Sequence, residues 1–85
     1  MEVVIDASAI LAVLLNEEEK DSIITLTMGL SLLSPGCIEY EIGNAVSALH
    51  KRNLISTAEG ILIWHEFCKI PIRQVTPNIH DALII

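Results

Sequence analysis

Glu2-Val3-Val4-Ile5-Asp6-Ala7-Ser8-Ala9-Ile10 lies near the start of the chain and decides its fold. Three β-branched residues in a row, closed by an acid, read as a short strand covered on both faces within a parallel sheet. Residues 9–15 then read as a helix that is apolar nearly all round and therefore expected to be deeply buried. Ser8 stands where an N-cap would be.

Further along, Asn16 with Glu19 three residues on has the spacing of a capping box, with Asn in place of Ser. It is expected to open a second helix reaching about Met28, with Ile23, Ile24, Thr27 and Leu30 on one side. Residues 30–34 read as a second strand ended by Pro35-Gly36. A long helix is expected over 37–53, its apolar stripe formed by Ile38, Ile42, Ala45, Val46 and Leu49. Ser56-Thr57-Ala58-Glu59 is a complete capping box and opens a helix through Ile61, Leu62, Trp64, His65 and Cys68. Residues 70–75 read as a third strand, with Pro71 marking its first residues or a sheet edge. Thr76-Pro77 begins another helix. Strands separated by helices give an α/β domain with a parallel sheet.

The chain has 85 residues, of which 52% are hydrophobic, and its mean hydropathy is +0.56. That length suits one domain, and a domain so small buries only about 60% of the surface its unfolded chain exposes. The surplus apolar surface calls for a partner or for further sequence. The last helix runs into Asp81-Ala82-Leu83-Ile84-Ile85 without a cap. Residues 1–85 are therefore expected to form a single domain left incomplete at its C-terminal end, before a last strand and helix.

No stretch approaches the roughly 18 apolar residues of a membrane helix, and the acidic start lacks the basic region of a secretory signal. A cytoplasmic protein with no membrane partner is expected. Cys37 and Cys68 have no metal-ligand spacing and are expected as buried or half-buried thiols in a reducing cell. The formal net charge of −6 excludes broad nucleic-acid binding through a basic surface. It leaves open an enzyme that meets nucleic acid through divalent ions held by carboxylates.

Two acids carry the chemistry. Asp6 ends the first strand, and ligands of open α/β sheets bind at the carboxyl ends of strands. A structural role is equally open to it, as the cap of the first helix or a partner of nearby amides. Glu41 flanks the buried stripe of the third helix, and Asn44 shares its side. Glu39 points about 200° away from Glu41, so one of them faces the sheet, and Glu41 is the better placed. Two converging carboxylates repel, and a Mg²⁺ or Mn²⁺ ion between them reverses the sign.

Other acidic and basic groups read as ordinary surface. Glu17, Glu18, Glu19 and Asp21 complement a helix dipole, as does Asp81, and Lys51-Arg52 is a solvated helix end. His50, His65 and His80 lack partners at ligand spacing, although His65 lies on an apolar face and would be buried neutral there. Asp6-Ala7-Ser8 lacks the second Asp of a D-x-D phosphatase motif, and no glycine-rich phosphate loop or Ser/His/Asp set is present.

At Val4-Ile5-Asp6-Ala7-Ser8-Ala9-Ile10, Ser34-Pro35 and Tyr40-Glu41-Ile42-Gly43-Asn44-Ala45-Val46 the chain resembles the PIN-domain family of metal-dependent ribonucleases. The likeness is strongest to the toxin branch of toxin–antitoxin pairs, and Asn16-Glu17-Glu18-Glu19 matches the family's entry to its second helix. The resemblance implies a parallel sheet flanked by helices, with acids gathered at the strand ends around Mg²⁺ or Mn²⁺. It makes Asp6 and Glu41 the catalytic, metal-binding acids, with Ser8 supporting the first acid or its water and Asn44 in a supporting role. It further implies hydrolysis of RNA phosphodiesters by metal-activated water, and a protein antitoxin as partner. The family's third acid has no counterpart in the sequence, so activity is expected to be impaired. The competing expectation is a non-catalytic PIN-like module for interaction or dimerisation, and in either case a homo-oligomer.

Overall fold

A computed structural model describes residues 1–75. In chain order they form β1 (Glu2–Val4), α1 (Ala7–Leu14), α2 (Lys20–Thr27), β2 (Ser31–Pro35), α3 (Ile38–Lys51), α4 (Thr57–Cys68) and β3 (Ile72–Val75). The three strands make one sheet of order β1-β2-β3, and both pairings are parallel. The α/β class read from the sequence is therefore present. The helix expected from Pro77, together with His80, Asp81 and the apolar end, lies outside the described residues.

Two element boundaries differ from expectation for a local reason. Helix α1 begins at Ala7, so Ser8 is inside it and Asp6 is the N-cap, its side chain accepting from the Ala9 N–H. Asn16 does not open α2. It has a φ of 54° and closes α1 instead: the Glu17 N–H donates to the Ala12 carbonyl at 2.9 Å and the Asn16 N–H to that of Val13 at 3.3 Å. Asparagine tolerates this left-handed conformation, which satisfies carbonyls the helix end leaves free. Helix α2 starts at Lys20 after Glu19, which makes no side-chain capping bond. Asn53, with a φ of 58°, ends α3 in the same way, the Leu54 N–H donating to the Leu49 carbonyl at 3.0 Å.

The capping box of α4 forms as read. Glu59 N–H donates to Ser56 Oγ at 3.1 Å, and the Ser56 N–H donates to Glu59 Oε1 at 3.0 Å. The Ser56 backbone N–H is the main reason the Glu59 carboxyl is held below its ordinary value, and the Ser56 hydroxyl adds to it.

The core gathers Ile5, Ile10, Ile38, Ile42 and Phe67, with Leu32, Val46, Trp64 and Ile72 packed against it. Ile10 and Ile42 are fully buried, which places α1 and α3 against the sheet and confirms the stripe read on α3. Helix α4 lies beside α3 closely enough that a Cβ added at Gly60 would sit 3.5 Å from Val46 Cγ1.

Alternation along the strands sorts the sheet into two faces. Val3, Ile5, Leu32, Ser34 and Ile72 share the face toward the core. Glu2, Val4, Leu33 and Arg73 share the other, in register as Glu2 opposite Ser31 and Val4 opposite Leu33, with Leu33 opposite Arg73. Val4 is 67% exposed, so the expectation that the first strand is covered on both faces is not met among the described residues. Among the described residues β1 is also an edge strand.

The cysteines differ from expectation too. Cys37 and Cys68 are both exposed, because they sit at the start of α3 and the end of α4, beyond the buried stripes. His65 is exposed as well, on the side of α4 turned from the core. Among the described residues no helix is long and apolar enough to cross a membrane.

Candidate functional site

Because β1 and β2 run parallel, the segments that leave them emerge at the same end of the sheet. Asp6 follows β1 and begins α1, and Glu41 lies in the first turn of α3 after β2. Both acids therefore belong to the carboxyl end of the sheet.

The rotation of α3 sorts its side chains between two neighbours. Gly43 faces α4, where an added Cβ would lie 3.8 Å from Trp64 Cζ3. Glu39, one helical turn before it, accepts from Gln74 Nε2 at 3.0 Å and so belongs to the β3 side. On the opposite flank Ala45, Ala48 and Arg52 line a groove with Ser8 and Leu11 of α1. Glu41 is one turn before Ala45 and shares that flank. Ser8 thus lies toward the side of α3 that carries Glu41.

Asp6 is exposed and its Oδ1 accepts from the Ala9 N–H at 2.9 Å. The capping role left open in the sequence is real, and one oxygen is committed to it. The other, Oδ2, has no protein hydrogen-bond partner among the described residues. Glu41 and Asn44 are exposed side chains; the carboxylate of Glu41 has no protein partner among the described residues.

The donor chemistry suits a hard cation, since Mg²⁺ is commonly held by one or two carboxylates together with water and substrate phosphate. The donor number is low: among the described residues no group of three or more His, Cys, Asp or Glu is arranged to hold a metal ion. Sequence reasoning weighed Glu39 only against Glu41 and missed that it holds Gln74. The available signal was the period-2 alternation of β3, which sets Gln74 beside Ser34 at the same sheet end. No family model matches the chain, and no curated protein matches it.

Proposed function

We propose that this chain is a PIN-type, metal-dependent endoribonuclease that hydrolyses RNA phosphodiesters. One observation supports the reading above others: Asp6 and Glu41 share the carboxyl end of a parallel sheet, with Glu41 on the flank of α3 turned to α1. Exposed carboxylates there are open to a polyanionic strand, which an overall acidic protein meets only through a cation. Asp6, through Oδ2, and Glu41 would hold Mg²⁺ or Mn²⁺. When bound, such an ion supplies Lewis acidity toward phosphoryl oxygens and activation of water. The protein's own part is positional. The cap to Ala9 fixes the Asp6 side chain, Ser8 stands beside it to orient water, and Asn44 is a polar group on the same side of α3 for the substrate.

Asp6 and Glu41 are the two acids that the described residues bring to this sheet end, and a site held by two carboxylates turns over slowly. A fluorogenic RNA tested with Mn²⁺ should show weak cleavage that EDTA, Asp6→Asn and Glu41→Gln each remove. Cleavage equal in parent and variants would reject the assignment. A protein antitoxin as partner belongs to the same reading. The second reading, a PIN-like module that binds without catalysis, is favoured by the uncovered sheet face bearing Val4; complete absence of cleavage together with stable self-association would select it.

A further inference from the structure

The chain holds three aromatic residues, one Trp, one Tyr and one Phe. Two of them serve the interior. Trp64 and Phe67 pack with ring centroids 5.3 Å apart, Phe67 in the buried core and Trp64 against it. Tyr40 is the exception, 77% exposed. It stands in the first turn of α3, immediately before Glu41 and about 100° from it round the helix. Asn44, also exposed, lies one turn on from both, at i+4 from Tyr40 and i+3 from Glu41. A ring, a carboxylate and an amide therefore occupy neighbouring positions on α3 at the carboxyl end of the sheet.

RNA affinity ordinarily comes in large part from Lys and Arg on phosphates. This chain has a net charge of −6 and only five Lys and Arg residues. None lies in the first two turns of α3, and Lys51 and Arg52 close the far end of that helix. Stacking of a base on an aromatic ring is a source of affinity that needs no positive charge. We infer that Tyr40 is the platform on which a base beside the scissile phosphate stacks. The inference rests on the ribonuclease reading and deepens it: Asp6 and Glu41 meet the phosphate through the cation, and Tyr40 fixes where the strand lies along α3. Because every base has a π-face, this contact holds the strand without choosing its sequence.

The test reads RNA binding and cleavage in the whole 85-residue chain. A fluorescein-labelled RNA oligonucleotide of mixed sequence is followed by anisotropy, with Ca²⁺ replacing Mn²⁺ to leave the strand uncut. The fluorogenic RNA with Mn²⁺ gives KM and kcat. Tyr40→Ala and Tyr40→Leu should each weaken binding roughly tenfold. They should raise KM by a similar factor and leave kcat nearly unchanged, as loss of uniform binding does. Tyr40→Phe and Tyr40→Trp keep a ring and should bind as the parent does. Leu keeps apolar bulk, so a loss confined to variants without a ring separates stacking from folding. Circular dichroism and calorimetric Mn²⁺ titration should not differ among the four. Parent-like binding by Tyr40→Ala or Tyr40→Leu overturns the inference, as does loss of binding in Tyr40→Phe or a parent that binds no RNA. Cleavage indifferent to Asp6→Asn rejects the ribonuclease assignment separately, and the anisotropy series then still decides on Tyr40.

Discussion

Glu39 accepts a hydrogen bond from Gln74 at 3.0 Å, tying the first turn of α3 to the end of β3. This bond settles which acid of α3 serves which side. Glu39 is held toward β3, and Glu41, about 200° round the helix, is left on the flank facing α1. Both partners are exposed, so the bond contributes no more than about 1 kcal/mol to stability. Gln74→Ala should therefore shift the urea midpoint only slightly and leave Mn²⁺ affinity unchanged, as read by calorimetry.

Asp6 has two separable roles, and two substitutions divide them. Asn caps a helix about as well as Asp, while Ala costs about 1 kcal/mol at that position. Asp6→Ala should lower the stability measured by urea unfolding by that amount. Asp6→Asn should hold it within a few tenths and lose only the charge. Equal destabilisation by both would mean that the carboxylate, and not the cap, steadies α1.

The capping box gives a pH signature. The folded-state carboxyl of Glu59 is depressed below the ordinary glutamate value, chiefly by the Ser56 backbone N–H and further by the Ser56 hydroxyl. Its contribution is therefore complete above the unfolded pKa and is lost as pH falls through the lower folded value. Glu59→Gln should flatten that part of the acid limb in urea midpoints measured from pH 6 to pH 3. A parent and variant with parallel acid limbs would show the box to be energetically silent.

How far the sequence could be read depended on whether a feature was local. The Ser56–Glu59 box and the Ile38–Ile42 stripe depend on spacing within one helix, and both were legible. So were the three strands, because β-branched runs bounded by turn residues need no tertiary information. Asn16 was misread because Asn serves both helix starts and left-handed helix ends, and only the backbone φ separates them. Val4 is exposed among the described residues, since an apolar run does not say which of its two faces each neighbouring helix covers. Asp6 and Glu41 were placed at one sheet end by the parallel topology read from the sequence. The Glu39–Gln74 bond depended on a rotation of α3 fixed by packing against Trp64, which spacing alone does not reveal.

Whether Asp6 and Glu41 act together on a divalent ion is tested most directly by calorimetric titration of Mn²⁺ into the parent, Asp6→Asn and Glu41→Gln. Asp6→Asn keeps the α1 cap and Glu41→Gln keeps a side chain of the same shape, so neither should alter the circular dichroism spectrum. The account predicts weak one-site binding by the parent and loss of that binding in each variant. Binding that survives either substitution unchanged, or a parent that binds no Mn²⁺, would contradict it.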